Sequence, residues 1–139
     1  MIRVVVDTNV IVSALIALDG LPAAILDLIL QGEVVGGASQ PLLEELERVL
    51  RRPAFDIGPR KIGSFLSYLR SHIRIVTPSR ALTICSKDPA DNRVLECAEA
   101  FRADFLVTGN KAHFPKQYQR TKVVSPREFW EEYLLHRFP

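Results

Sequence analysis

Cysteine and histidine are both scarce in this chain of 139 residues. The two cysteines, Cys85 and Cys97, are too few for a disulfide framework or for a self-contained zinc site. The three histidines are scattered along the sequence rather than clustered, so a site built mainly from imidazoles is not indicated. Any metal site in this protein is therefore expected to use oxygen ligands.

Long hydrophobic runs are also absent, since no stretch approaches the roughly 18 apolar residues that cross a membrane. Residues 10–18 imitate the core of a signal peptide, but polar residues interrupt the apolar run and only Arg3 before it is basic. We therefore interpret this segment as part of the folded protein. We expect a cytoplasmic protein with reduced thiols and no membrane attachment.

Charge of one sign is not in large excess either, because the net charge is only +2. That value is too small to identify a nucleic-acid-binding protein by itself. The apolar fraction of 47% and the charged fraction of 24% are ordinary for a globular protein and argue against a disordered chain. The length favours one domain that spans residues 1–139.

Short β-branched runs alternate with amphipathic segments along the whole chain. We predict strands over residues 2–6, 33–38, 73–76, 105–108 and 122–124 and helices over residues 10–18, 22–31, 42–50, 60–72, 91–102 and 126–135. This alternation indicates βαβ units and therefore a three-layer α/β/α sandwich with a small parallel sheet. In such folds, ligands bind beyond the carboxyl ends of the strands.

Small polar and acidic residues follow several of these predicted strands. They are Asp7, Thr8 and Asn9 after the first strand, Ser39 after the second, and Thr108 and Asn110 around the end of the fourth. Asp7 has a structural interpretation as the cap of the following helix, but Asn9 is also able to cap it, which would leave Asp7 available for chemistry. We expect these residues to meet at one edge of the sheet.

Further carboxylates belong to two predicted helices. In the helix over residues 42–50, Glu45 and Glu47 both flank the apolar stripe, each about 100° from its centre, and the geometry does not choose between them. Asp88 is expected to cap the helix that begins near residue 91, with Pro89 in its first turn. Asp91 points with the apolar face of that helix, so its carboxylate needs a partner or a metal.

Carboxylates that converge without a histidine cluster suggest a hard cation, Mg²⁺ or Mn²⁺. Such an ion serves phosphoryl chemistry, because it activates water and stabilises the charge on a phosphate. The expected chemistry is therefore cleavage or transfer at a phosphate group.

The order and spacing of these motifs resemble those of PIN-domain proteins over nearly the whole chain. The similarity is carried by residues 7–9, 39–50, 88–98 and 103–109. The nearest branch is similar to VapC-type ribonucleases, the toxins of bacterial and archaeal toxin–antitoxin systems. The resemblance implies a metal-dependent endoribonuclease with an RNA substrate, a protein antitoxin as partner and room for a homodimer.

The resemblance also implies roles for individual residues. The acidic metal ligands fall on Asp7, Glu45 and Asp91, and the polar residue after the first acid is Thr8. Where the family usually places a further Asp, this chain has Asn110, which brings an amide oxygen but no negative charge. One ion would then bind more weakly, or Asp88 compensates, or catalysis is impaired.

Basic residues near this edge would contact an RNA backbone through its phosphates. The candidates are Lys87, Arg93 and Lys111. His113 is close enough in sequence to Asn110 and Lys111 to approach a substrate, but we expect it to be an ordinary surface residue. Two other hypotheses remain. One is a catalytically impaired PIN-fold module that binds RNA or protein, and the other is a receiver- or phosphatase-like protein in which Asp7 is the nucleophile.

Overall fold

The computed structural model describes residues 1–139 and contains six strands and six α-helices. The strands are β1 (Arg3–Val6), β2 (Val35–Ser39), β3 (Arg74–Val76), β4 (Phe105–Val107), β5 (Gln117–Tyr118) and β6 (Thr121–Val124). The helices are α1 (Thr8–Ile16), α2 (Leu21–Leu30), α3 (Gln40–Leu50), α4 (Pro59–His72), α5 (Asp91–Phe101) and α6 (Pro126–Arg137). Short 3₁₀ turns lie at Pro53–Phe55 and Lys111–His113.

All strands belong to one sheet with the order β3-β2-β1-β4-β6-β5. The first five of these are mutually parallel, and β5 pairs with β6 in the antiparallel direction. The predicted α/β class with its small parallel sheet is confirmed. The sequence pattern missed β5, which is only two residues long and forms a hairpin with β6.

Helices cover both faces of the sheet because successive strand residues point in opposite directions. Val5 and Leu106 pack in a cluster with Leu95 and Phe101 of α5. Their strand neighbours, among them Val4 and Val107, pack in a second cluster on the other face with residues of α2 and α6. A third cluster joins α1 and α2 to α3 and α4.

Two glycines allow helices to lie close against β2. A Cβ atom at Gly37 would lie 2.5 Å from the ring of Phe101 on α5, and one at Gly36 would lie 2.8 Å from Ile29 on α2. Both distances are shorter than van der Waals contact. These two residues therefore set how closely the helices pack on either side of the sheet.

We call the two ends of the sheet the carboxyl edge, where β1, β2, β4 and β6 end, and the amino edge, where they begin. Asp7, Ser39 and Thr108 all lie at the carboxyl edge, as the alternation of strands and helices predicted. No single helix is long and apolar enough to cross a membrane, and α1 with α2 would reach the required length only as a pair bent by 103°.

Candidate active site at the carboxyl edge

Asp7 occupies the junction between β1 and α1 and is only 7% exposed. Its Oδ1 accepts a hydrogen bond from the backbone N–H of Thr8 at 2.8 Å, so Asp7 is the N-cap of α1. The expectation that Asn9 caps this helix is wrong, because Asn9 lies inside α1 with an exposed side chain. The carboxylate that caps α1 is therefore also the first candidate for a chemical role.

Thr108 holds the other oxygen of Asp7. Its hydroxyl donates to Oδ2 at 2.8 Å, and the same Oγ1 accepts from the backbone N–H of Asn110 at 3.0 Å. The register of the sheet makes this contact possible, because Val6 of β1 pairs with Val107 of β4 immediately before the two side chains. Thr108 is fully buried, so the Asp7 carboxylate is fixed at both oxygens.

Glu45 reaches the same place from α3. This helix begins after Ser39, whose fully buried side chain accepts from the N–H of Leu42 and caps it. The Glu45 Oε2 accepts a hydrogen bond from the hydroxyl of Thr8 at 3.1 Å. Glu47 instead forms an ion pair with Arg51 at 3.1 Å in solvent. Of the two glutamates that the pattern left open, Glu45 is the one beside Asp7.

Asp91 is the first residue of α5 and is 8% exposed. Its Oδ2 lies 3.0 Å from Nδ1 of His113. The expectation that Asp88 caps this helix is wrong, because α5 begins three residues later. The carboxylate of Asp88 instead accepts from the N–H of Ala90 at 3.0 Å, in an exposed turn before the helix.

The charges of Asp91 and Glu45 favour the protonated form of Asp7. The pKa of Asp7 is raised to about 6, mainly by burial and also by the nearby charges of Asp91 and Glu45, against the hydrogen bonds from Thr108 and Thr8. Burial also raises the pKa of Asp91, against the hydrogen bond from His113. None of the three forms an ion pair with a lysine or an arginine. The cluster is negative and lacks a cation of its own.

The segment before α5 lies beside this cluster. Burial raises the pKa of the Cys85 thiol to about 11, and the charges of Asp91, Asp7 and Asp88 add to the effect. The Asn92 side chain accepts from the N–H of Cys85 at 2.7 Å and donates to its carbonyl at 3.1 Å. The sequence reasoning assigned Asn92 no role, and its position beside Asp91 was the only signal that could have found it.

The donors fit a hard divalent cation by their chemistry, because carboxylate and hydroxyl oxygens are the ligands that Mg²⁺ and Mn²⁺ prefer. The pKa of Asp7 is raised mainly by burial and in part by its negative neighbours, and a bound cation would offset that second contribution. No three acidic, histidine or cysteine side chains lie close enough together to form a preassembled metal-binding group. Small side-chain movements would have to close the site around an ion.

Other predicted residues are placed as follows. The Arg93 guanidinium pairs with Glu96 at 2.6 Å, and the Lys111 ammonium pairs with Glu128 at 2.7 Å. Lys87 is exposed on the segment before α5. Asn110 is exposed at the carboxyl edge, directly after Thr108 and Gly109. The role of these cations in RNA binding stays a prediction.

His113 makes a contact with Asp91 that the sequence pattern did not predict. It was expected to be an ordinary surface residue, yet it is 34% exposed in its side chain and touches the buried carboxylate of Asp91. The available signal was its place in the connection that follows β4, since such connections line the carboxyl edge.

Comparison with known proteins agrees with this fold. A family model described as a PIN domain matches residues 3–112. The chain belongs to the PIN-domain family. It is 32% identical over 144 aligned residues to an uncharacterized protein of Methanocaldococcus jannaschii, an alignment that covers 95% of this chain and 92% of that protein.

A solved structure shares the fold of this PIN domain. This structure is VapBC2 from Rickettsia felis bound to a DNA fragment from the VapBC2 promoter. The TM-score is 0.61 and the identity 18%, with 89% of this chain and 98% of that chain covered. At this level of identity the similarity shows the fold, which the sequence motifs had predicted.

Proposed function

We propose that residues 1–139 form a single-domain endoribonuclease that depends on Mg²⁺ or Mn²⁺ and acts as the toxin of a toxin–antitoxin pair. One observation carries the proposal. Carboxylates from the β1–α1 junction, α3 and α5 lie at the carboxyl edge of a PIN fold. The pKa of Asp7 is raised there, mainly by burial and in part by the nearby charges of Asp91 and Glu45. Perturbed acids in one place are typical of catalytic sites.

Asp7, Glu45 and Asp91 would hold the ion. A divalent cation bound there supplies activation of water and stabilisation of the charge on a phosphodiester. The chain itself supplies the placement of the ligands. Thr108 and the Thr8 N–H fix Asp7, and the Thr8 hydroxyl orients Glu45 toward the same point. Asn110 and Asp88, both exposed beside this cluster, are secondary ligand candidates with smaller expected effects.

Lys87 is the cation best suited to an RNA phosphate, because it is exposed and forms no ion pair. Arg93 and Lys111 would have to exchange the carboxylates of Glu96 and Glu128 for phosphate. Replacing Lys87 should therefore weaken RNA binding more than replacing either of the others.

The partner part of the proposal has separate support. The solved relative is a VapBC pair bound to DNA, and this chain leaves several large apolar side chains in solvent. Among them are Ile16, Leu18, Leu135 and Phe138. Exposed apolar groups favour contact with another protein, an antitoxin or a second copy of the chain.

Cleavage of RNA by the purified protein tests the proposal. We expect cleavage with Mn²⁺ or Mg²⁺, none with a chelator, and none by the Asp7→Asn variant. Equal cleavage by the variant and the wild type would mean that a contaminating nuclease is responsible and would contradict the proposal.

A second candidate function is favoured by Asn110. If its neutral amide leaves the site short of charge, the protein binds RNA or a protein without cleaving. RNA binding without Mn²⁺ binding at millimolar concentration would support this alternative. The phosphatase-like alternative is disfavoured because Asn9 stands where such a site would need a second aspartate, and trapping an aspartyl-phosphate would revive it.

A further inference from the structure

His113 makes the only side-chain hydrogen bond that reaches the carboxylate of Asp91, with Nδ1 3.0 Å from Oδ2. Asp91 begins α5, and an aspartate in a first turn otherwise turns toward the free backbone N–H groups of the helix. The contact with His113 draws one carboxylate oxygen away from those groups and toward the end of β4.

His113 is itself held in place. It ends the 3₁₀ turn Lys111–His113, and its backbone N–H donates to the carbonyl of Asn110 at 3.0 Å. The next residue, Phe114, is buried in the cluster under α5. At the start of the turn, Lys111 binds Glu128 at the first turn of α6 at 2.7 Å. The backbone that carries the imidazole is therefore fixed, and the contact with Nδ1 fixes the Asp91 carboxylate in turn.

The three carboxylates differ in how firmly they are held. Both oxygens of Asp7 accept hydrogen bonds, one of them from the backbone, whereas Asp91 depends on one imidazole. Without His113, the Asp91 carboxylate would be free to rotate. Groups that orient a metal ligand in this way affect metal affinity by about 10- to 100-fold.

We propose that His113 is a positioning residue that holds the carboxylate of Asp91 in the orientation that receives a divalent cation. The part of this inference that concerns the cation rests on the proposed function. The part that concerns the orientation of Asp91 rests on its contact with His113. An ionised carboxylate only accepts hydrogen bonds, so Nδ1 must carry the proton in this pair.

The tautomer of His113 in the metal-free protein tests the contact. With the imidazole neutral, long-range ¹H–¹⁵N correlation should show the Nδ1–H form in the wild type and the Nε2–H form in Asp91→Ala. The Nε2–H form in the wild type would overturn the proposal.

The affinity for Mn²⁺, measured by calorimetry, tests the consequence. His113→Ala should weaken binding about tenfold or more, whereas His113→Asn should stay within about threefold of the wild type. The Asn amide nitrogen takes the place of Nδ1 and keeps the donor. His72→Ala removes an exposed imidazole at the end of α4 and serves as the matched control.

Each outcome has a distinct meaning. Equal affinity of His113→Ala and His72→Ala would overturn the positioning role, and so would equal losses in the Ala and Asn variants of His113, because the donor would then not matter. A wild-type protein that binds no Mn²⁺ would contradict the proposed function and the cation part of this proposal. The tautomer is read without metal and would still show whether His113 holds Asp91.

Discussion

Acidic residues at the two edges of the sheet have different kinds of partners. At the amino edge, Asp104 binds the Arg120 guanidinium at 2.9 Å and accepts from the backbone N–H of Arg3. Glu33, just before β2, lies 3.8 Å from Arg137. These acids are matched by arginines, and they join strands and helices to one another.

At the carboxyl edge, hydroxyl groups, one backbone N–H and an imidazole bind Asp7, Glu45 and Asp91. Not one of the three is paired with lysine or arginine. Negative charge that is gathered, buried and left without a cation is costly, and it persists where a function requires it. The comparison therefore supports the proposal that the acids of the carboxyl edge serve a ligand, whereas those of the amino edge only hold the fold.

Affinity for Mn²⁺ should show the largest difference between the edges. We expect Asp7→Asn or Asp91→Asn to weaken binding by at least about 100-fold, because each removes a charged oxygen ligand. Asp104→Asn, a matched change at the amino edge, should alter the dissociation constant less than about twofold. Calorimetric titration measures both, and similar losses at the two edges would break the comparison.

Stability should depend on pH through Asp7. Its pKa in the folded protein is raised from 3.8 to about 6, so the folded state binds the proton more tightly than the unfolded state. The stability linked to this proton is therefore present at about pH 4 and is lost as the pH rises through about 6, a loss of about 3 kcal/mol.

The Asp7→Asn variant lacks this titration. Without metal, it should exceed the wild type in stability by about 2 kcal/mol at pH 7 and by much less at pH 4. Denaturant unfolding at the two pH values measures the difference. A gap that does not change with pH would show that Asp7 is not destabilised by its surroundings.

Asn110→Asp sharpens the comparison by adding a further carboxylate at the carboxyl edge. We expect Mn²⁺ affinity and RNA cleavage to rise about tenfold, since one more charged oxygen faces the ion. A variant with unchanged affinity would mean that residue 110 does not reach the ion. Glu44→Gln, an exposed change on α3, serves as a control.

Asp104→Ala should have the smallest effect and should act on stability alone. We expect the free energy of unfolding to fall by about 1 kcal/mol, because the ion pair with Arg120 is partly exposed and the hydrogen bond from Arg3 is lost. Chemical denaturation measures this change. A loss of RNA cleavage in this variant would show that the two edges are coupled.

Much of this architecture follows from the sequence pattern. Strong periodicity and β-branched runs predicted all six helices and five of the six strands. β5 was not predicted because it is only two residues long. Its hairpin turn also places Gln119 at a φ of +52°, without the glycine or asparagine that usually marks such turns. The signal there is too short and chemically atypical.

The candidate site was predicted in outline but not in its contacts. Asp7 and Asp91 stood out by position alone, whereas Glu45 and Glu47 were equivalent on an isolated helix and differ only because Thr8 lies across from one of them. The pairing of Asp91 with His113 joins residues 22 apart in the chain. Periodicity carries no information about such tertiary contacts.

The start of α5 shows the same limit. Asp88 and Pro89 form a strong local signal for a helix start, yet the helix begins at Asp91. The segment before it is tied to the body of α5 by Glu96, which accepts from the N–H of Leu82, and by the amide of Asn92. These tertiary bonds override the local preference.

The most direct test of the account is a crystal structure of the wild-type protein soaked in Mn²⁺, with the ion located by its anomalous scattering. We expect a peak at the carboxyl edge, bound by the carboxylates of Asp7, Glu45 and Asp91. Saturating Mn²⁺ that leaves these three carboxylates without an ion, or that binds instead among the acids of the amino edge, would contradict the account.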